Sequence, residues 1–209
     1  MQLRSDSFYP YARLDISLAF TQYDPSTHVR MGGNRNPHLA WNDVPKDTKS
    51  FALLCWDIDV PSEASRVNRE GMTVPIDLKR AEFFHWVLCD LPADLRSIPE
   101  GAHSDGITPR GKKVGATPQG GLQGLNDYTG WFANDDDMRG EYGGYDGPGP
   151  PWNDERVHGY RFGLYALDVP SLGLSGRFTG YDVRKAMQGH VLEHTLMVGV
   201  YAIYPGAKL

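Results

Sequence analysis

The stretch that decides the fold is FALLCWDIDVPS, residues 51 to 62. Six consecutive apolar residues followed by an Asp-Ile-Asp unit, a proline and a serine predict a buried strand that ends at the rim of a core. If the strand geometry persists through Asp59, the carboxylates of Asp57 and Asp59 leave the same face. Pro61 lacks a backbone donor and predicts the end of the strand. We therefore expect the chemistry of this protein at that rim.

Four other segments carry strand signals. Residues 14–20 alternate apolar and polar side chains, which predicts a half-buried strand, and residues 83–89, 158–168 and 195–204 are apolar runs typical of buried strands. In 158–168 the even positions share one face, so His158 and Tyr160 project from the face that later residues bury. One helix is predicted from Asp182, as N-cap, to residue 191. Five strands and one late helix predict a mainly β fold, a sandwich or barrel.

The bulk composition is that of an ordinary globular chain. With 209 residues, 40% hydrophobic and 22% charged, it predicts a single domain over 1–209. No apolar run reaches the roughly 18 residues of a membrane span, and the first 20 residues lack a signal-peptide apolar segment, so we expect a cytoplasmic protein. A net charge of -5 with interspersed signs argues against nucleic-acid binding. The basic group around Lys112 and Lys113 is interpreted as a solvated loop face rather than a phosphate-binding patch.

Cys55 and Cys89 each lie inside an apolar run. They are interpreted as buried, reduced thiols, with a disulfide between neighbouring strands as the alternative.

Residues 101–150 hold more than half of the 24 glycines. A long segment without a clear period is generally a functional loop or disordered. Its aromatic residues favour a packed, functional loop; they are Tyr128, Trp131, Phe132, Tyr142 and Tyr145. The acidic run 135–137 is interpreted as a solvated turn rather than a metal site.

Seven residues at, in or just before apolar strands form the candidate site: Asp57, Asp59, His85, Pro150, Pro151, His158 and Tyr160. A carboxylate beside an imidazole favours the protonated form of the imidazole, so we expect the two histidines to be hydrogen-bond donors. Together with the Tyr160 hydroxyl, they would suit the oxygens of a phosphate or a carboxylate. The acids would orient them. Anion affinity is then expected to weaken as pH rises through the histidine range. The sequence has neither a Gly-x-Ser-x-Gly elbow nor a pair of histidines at metal spacing.

Several blocks, in order, resemble the phosphatidylethanolamine-binding protein (PEBP) family. They are NPHLAW at 36–41, the 51–62 stretch, FHWV at 84–87, LPA at 91–93, GPP at 149–151, HGYRF at 158–162 and ALD at 166–168. The chain most resembles the bacterial and archaeal branch called Raf kinase inhibitor-like proteins, over about residues 14–204.

The resemblance implies a sandwich of two antiparallel sheets with a C-terminal helix, a long Gly-rich loop and a small anion pocket at one end. The pocket would be formed by the seven residues above and would take phosphate, phosphoethanolamine phospholipid head groups, acetate or cacodylate. It implies no cofactor. We assign neither a metal ligand nor a catalytic residue. Family members are mostly regarded as binding or regulatory proteins of kinases and proteases, and bacterial members are often homodimers. A cis peptide bond is common beside the first acid-and-proline block.

Three departures from the family pattern bear on this pocket. Ile58 stands where proline is common, which removes the low-cost route to a cis bond, and Gly159 stands where arginine is usual, which predicts a missing contact. The 104–148 loop is a long insertion that could cover the pocket, form a dimer surface or narrow the entrance.

We therefore expect a non-enzymatic protein that binds a small anion and acts through a protein partner such as a kinase or protease, with no nucleic acid and no membrane span. One alternative is a hydrolase of a small phosphorylated or acylated substrate, with His85 or His158 as base and Asp57 or Asp59 orienting it. A third hypothesis is inhibition of a protease or kinase by the 104–148 loop. The physiological ligand, the partner and the oligomeric state do not follow from the sequence.

Overall fold

The computed structural model describes residues 1–208. The strands are β1 (Gln2–Arg4), β2 (Thr21–Asp24), β3 (His28–Met31), β4 (Leu39–Asn42), β5 (Ser50–Pro61), β6 (Arg80–Pro92), β7 (Ser97–Ile98), β8 (Gly115–Ala116), β9 (Leu122–Gln123), β10 (His158–Leu167) and β11 (Val191–Tyr201). The helices are α1 (Tyr128–Trp131) and α2 (Gly180–Ala186). The predicted mainly β class is confirmed. No helix within these residues is long and apolar enough to cross a membrane.

The strands form antiparallel sheets around one long central pair. The six-stranded sheet has the order β11-β10-β5-β6-β9-β8, the three-stranded sheet has the order β1-β4-β7, and β2 and β3 form a hairpin. In the large sheet β5 lies between β6 and β10, and Tyr160 of β10 is opposite Asp57 of β5. This register brings together two predicted site residues that are far apart in the chain.

Both faces of the large sheet are buried, which explains the uninterrupted apolar run of β5. Phe51, Leu53 and Cys55 face a core shared with the three-stranded sheet. Ala52 and Leu54 face a second core, where α2 packs. A strand covered on both sides carries apolar residues at every position, whereas a half-exposed strand alternates. Both cysteines are buried free thiols, as predicted, and burial raises the pKa of Cys89 to about 12.

The strand predicted over 14–20 is wrong. The Asp15 carboxylate accepts a hydrogen bond from the Ser17 amide at 2.9 Å, and the Asp15 carbonyl accepts one from the Leu18 amide at 3.0 Å. These local bonds form a turn in place of a ladder, a known competition at aspartate and serine. Leu14 and Leu18 are buried, while Ile16 is 48% exposed, so apolar spacing alone was misleading.

The predicted helix exists, but its limits and its cap differ from the prediction. The N-cap is Thr179, whose side chain accepts from the Asp182 amide while the Asp182 carboxylate accepts from the Thr179 amide. Asp182 is therefore the third helical residue of a capping box. The helix ends at Ala186, and Val191 already begins β11.

The 101–150 segment is packed, as its aromatic content predicted. Tyr128, Tyr142 and Tyr145 are buried in it, and the acidic run forms an exposed turn closed by the Asp135 carboxylate. The interpretation of Lys112 as part of a solvated face is wrong, because its ammonium binds the buried carboxylate of Asp146 at 2.6 Å.

Candidate ligand-binding cavity

A cavity of about 240 Å³ opens beside the ends of β5, β6 and β10. Six of the seven predicted residues line it: Asp57, His85, Pro150, Pro151, His158 and Tyr160. The segment that follows β5 forms one side, and Tyr128 and Trp131 from the long loop form another. Asp59 is not among the described residues that line the cavity.

His158 is held between two carboxylates. Its Nδ1 lies 2.6 Å from Asp57 Oδ2, and its Nε2 lies 3.1 Å from Asp154 Oδ2. Burial opposes the charged form of this ring, but the charge of Asp57 and the hydrogen bonds of both carboxylates outweigh it and raise the pKa of His158 to about 9. The ring is therefore an imidazolium whose two N–H groups both donate to the protein. It supplies fixed positive charge to the cavity wall and has no free donor for a ligand.

The second partner of His158 extends this network to an arginine. Arg80 donates to both carboxylate oxygens of Asp154, at 2.6 and 3.1 Å, and its remaining N–H groups donate to backbone carbonyls. Burial raises the pKa of Asp154, but the bonds from His158 and Arg80 prevail and lower it. Sequence reasoning missed both residues. The signal was an acid just after the Pro150–Pro151 block and a basic residue at the start of β6.

A β-bulge places His85 at the cavity. Cys55 is opposite Trp86, but the next residue of β5, Trp56, is opposite Phe84. The extra residue in β6 is His85. Strict alternation would put His85 on the same face as Val87, the face of the second core; the bulge reverses this and turns the ring toward Tyr160, whose ring centroid is 5.1 Å away.

His85 presents one free nitrogen. Its Nδ1 lies 2.8 Å from the carbonyl oxygen of Asp146, so Nδ1 carries the proton and donates it. Within residues 1–208 this is the ring's one hydrogen bond, and Nε2 is left at the cavity. Burial lowers the pKa of His85, although the nearby Asp57 charge opposes that effect. The ring is thus neutral at neutral pH, with the Nε2 lone pair unused.

Buried polar groups fix the Asp146 segment that holds His85. The Asp146 amide donates to the His85 carbonyl at 3.0 Å. Its carboxylate accepts from Asn34, Asn126 and Lys112, at 2.8, 2.9 and 2.6 Å. Because the carboxylate is fully buried, each of these partners is needed to offset its desolvation. His85 is consequently held in one orientation.

Asp59 lies off the cavity because the strand does not stay regular. A second irregularity falls between Asp57 and Val60, which ends the alternation that the shared-face prediction required. The Asp59 carboxylate binds Arg156 at 3.1 Å and accepts from the Gly159 amide at 3.0 Å. Arg156 therefore supplies an ion pair beside the pocket where Gly159 predicted a missing contact. No peptide bond among residues 1–208 is cis, including those around Ile58.

The buried charges around the cavity balance in pairs. Asp57 and Asp154 are matched by His158 and Arg80, while Asp59 is matched by Arg156. With these pairs cancelled, the charge of the cavity wall is set by His85 and by Glu63, an exposed carboxylate that also lines the cavity. His85 is the buried member of the two, and it becomes a cation and a donor if it takes up a proton. Within the described part of the chain no group of three His, Cys, Asp or Glu side chains could hold a metal ion.

Comparisons with known proteins agree on one family. The model of the family described as phosphatidylethanolamine-binding protein matches residues 4–202. A UPF0098 protein of Methanothermobacter thermautotrophicus is 34% identical over 177 residues, 85% of this chain and 89% of that protein. The UPF0098 protein YbhB of Escherichia coli is 34% identical over 156 residues, 73% of this chain and 74% of YbhB. The crystal structure of E. coli YbcL, described as a member of the mammalian PEBP family, superposes with a TM-score of 0.68 at 25% identity, covering 97% of this chain and 98% of that one.

Proposed function

Because this chain belongs to the phosphatidylethanolamine-binding protein family, we propose that it is a non-enzymatic binding protein whose cavity takes a small anion of the phosphate type. The single observation that carries the proposal is the free Nε2 of His85 in a cavity whose other buried charges cancel. Uptake of one proton by this nitrogen creates a charge and a donor at once, and a phosphate oxygen is a strong acceptor for such a donor.

The proposed ligand contacts follow from which groups are free. His85 Nε2 would donate to the anion, and Tyr160 and the Pro150–Pro151 segment would border it. Asp57 lines the cavity, but its two oxygens already accept from the Asp59 amide and from His158, so its role would be to hold His158. His158 and Asp59 would act indirectly, because their polar atoms already bind neighbouring residues.

Anion binding should therefore be linked to protonation of His85. Burial keeps the pKa of the empty-state ring low, and a bound anion raises it. The affinity should weaken as pH rises from about 5 to 8, the range in which histidines titrate. This is the direction expected from the sequence, but His85 alone accounts for it, since the pKa of His158 is about 9.

Calorimetric titration with inorganic phosphate and with O-phosphorylethanolamine tests the proposal. Repeating it at one pH in buffers of different ionisation enthalpy measures the protons taken up per anion, and we expect close to one at pH 7. His85→Gln should lose this uptake and most of the affinity. His194→Gln is the matched control, because that histidine is exposed at the far end of the β10–β11 ladder. Binding without proton uptake, or equal binding by His85→Gln, would overturn the proposed role of His85.

The regulatory part of the proposal is action on a protein partner such as a kinase or protease, by a cytoplasmic protein that is a homodimer. What supports it is the family membership together with Trp131, which is 51% exposed at the cavity mouth. Inhibition of purified kinases and serine proteases, measured with and without phosphate and with Trp131→Ala, tests it. Inhibition that depends neither on phosphate nor on Trp131 would show that any partner binds away from the cavity.

The hydrolase alternative has one observation in its favour. The free Nε2 of a neutral histidine is the atom that a general base uses, and Ser62 lines the same cavity. His158 is ruled out as the base because it is already protonated and both its nitrogens are bound. Turnover of p-nitrophenyl phosphate or p-nitrophenyl acetate that disappears in His85→Gln and persists in His194→Gln would establish this alternative.

A further inference from the structure

A second, smaller cavity of about 100 Å³ adjoins the first along its aromatic wall. Five residues line both: Asn68, Tyr128, Trp131, Gly149 and Pro150. Because they share these residues, the two cavities lie next to each other. One of the shared residues, Trp131, is 51% exposed, so part of the common border of the two cavities lies at the protein surface.

The second cavity differs from the first in its chemistry. No charged side chain lines it among the described residues, and its own walls are Phe20, Thr21, Val29 and Trp152. With Tyr128 and Trp131 counted, four of its nine lining residues are aromatic. Its volume of about 100 Å³ is about two-thirds of that of a cavity of roughly 150 Å³ that accepts a benzene ring, so it has room for one ring at most. It is suited to one flat apolar ring rather than to a second charged group.

The aromatic walls are already held in position. Phe20 stacks on Tyr128 with centroids 4.5 Å apart, and the Tyr128 hydroxyl donates to the Gly147 carbonyl at 2.9 Å. His28 covers part of Trp152, with centroids 4.1 Å apart and planes 13° apart. Rings fixed by packing lose little conformational entropy when a ligand ring binds against them.

Gly149 lies at the junction of the two cavities. A Cβ at this position would come 2.6 Å from the Tyr128 hydroxyl and 3.2 Å from the Thr21 hydroxyl. This position therefore has no room for a side chain, and the Gly149 backbone lies directly against Tyr128, which lines both cavities, and Thr21, which lines the second.

We propose that the site is bipartite and that its ligand is an aryl-bearing phosphate-type anion, with the anionic group in the first cavity and the flat ring in the second. This rests on the proposed anion-binding function and adds the class of organic group that the anion carries. The ring contributes area burial and aromatic contact, which the anionic subsite alone cannot supply.

Three phosphate monoesters separate the two subsites: methyl, cyclohexyl and phenyl phosphate, each titrated by calorimetry. Methyl phosphate tests the first cavity alone. Phenyl phosphate should bind about tenfold or more tightly than methyl phosphate, as expected for burying one ring, and cyclohexyl phosphate should gain less because it is not flat.

Trp152→Ala tests the second cavity alone, because Trp152 does not line the first. It should remove most of the advantage of phenyl phosphate and leave the affinity for methyl phosphate unchanged. Val29→Phe, which fills the second cavity from β3, should likewise remove the advantage of phenyl phosphate. It provides an independent test in case Trp152→Ala does not fold. Tyr9→Ala, at an aromatic residue 80% exposed, is the matched control and should match the wild type.

The outcomes keep the two proposals apart. If none of the monoesters binds, the anion-binding function fails. If methyl and phenyl phosphate bind equally, or if the phenyl advantage survives both Trp152→Ala and Val29→Phe, the second subsite is refuted while the first stands. An equal gain for cyclohexyl and phenyl phosphate would refute the preference for a flat ring.

Discussion

The most direct consequence of the His158 network is a loss of stability on the alkaline side of neutrality. His158 has a pKa of about 9 in the folded protein against the 6.5 of an unperturbed histidine. A group whose folded pKa is raised stabilises the fold fully below the unfolded pKa and loses that contribution as pH rises through the folded one. The window is therefore pH 6.5 to 9. The separation of the two values corresponds to about 3 kcal/mol, at about 1.4 kcal/mol per pH unit.

Urea unfolding followed by tryptophan fluorescence measures this contribution. We expect the free energy of unfolding to fall by about 3 kcal/mol between pH 6.5 and 9 in the wild type. His158→Gln should be less stable than the wild type at pH 6.5 and should lack most of the fall. The two buried cysteines also favour the protonated state in the folded protein, but both proteins contain them, so the difference between wild type and variant isolates His158.

His194→Gln should keep the wild-type fall, because this ring is exposed and packs on Tyr165 instead of a carboxylate. A wild-type stability that is the same at both ends of the window would refute the reasoning. So would a His158→Gln variant that falls as steeply as the wild type.

Three further substitutions probe the supports of the cavity. Asn153→Ala removes the amide that binds the carbonyls of residues 66, 69 and 72; we expect a loss of about 3 kcal/mol and faster tryptic cleavage after Arg66 and Arg69, seen by mass spectrometry. Lys112→Met leaves the buried Asp146 carboxylate without its cation, and unfolding experiments should show a loss of about 3 kcal/mol or more. Gly147→Ala would place a Cβ 2.0 Å from the Leu18 carbonyl oxygen, so the melting temperature of this variant should fall by several degrees. An unchanged melting temperature would show that the backbone at residue 147 can move away from Leu18 without cost.

The long strands were predictable because their side chains are apolar over whole runs. The predicted strands lie between the two hydrophobic cores, so most of their side chains are apolar on both faces, and such runs are easy to recognise in the sequence. They are 51–57, 83–89 and 158–168. The 14–20 segment failed because alternation over seven residues cannot be told from a turn that buries every fourth side chain. There the hydrogen bonds of Asp15 decided the outcome.

The candidate site was predictable in its members but less so in their roles. The positions of polar residues near strand ends were enough to predict six lining residues. Two irregularities in the β5–β6 ladder, however, determine that His85 faces the cavity and that Asp59 does not. Such bulges have no reliable signal in one sequence. The partnership of His158 with Asp154 was also hidden, because it depends on how the chain turns between them. Free donors were therefore expected at both histidines, whereas the structure leaves a free ring nitrogen at His85 and not at His158, and that nitrogen becomes a donor when the ring takes up a proton.

The cavity is assembled from two parts of the chain that differ in kind. Asp57, His85 and His158 stand on the central strands, where the ladder fixes their positions, while Tyr128 and Trp131 come from the 104–148 loop. Tyr128 is buried, but Trp131 is 51% exposed, so a substitution at Trp131 should cost the core little, whereas changes in the strands disturb two hydrophobic cores. The cavity wall at Trp131 can consequently be redesigned without disturbing the strands that hold Asp57, His85 and His158.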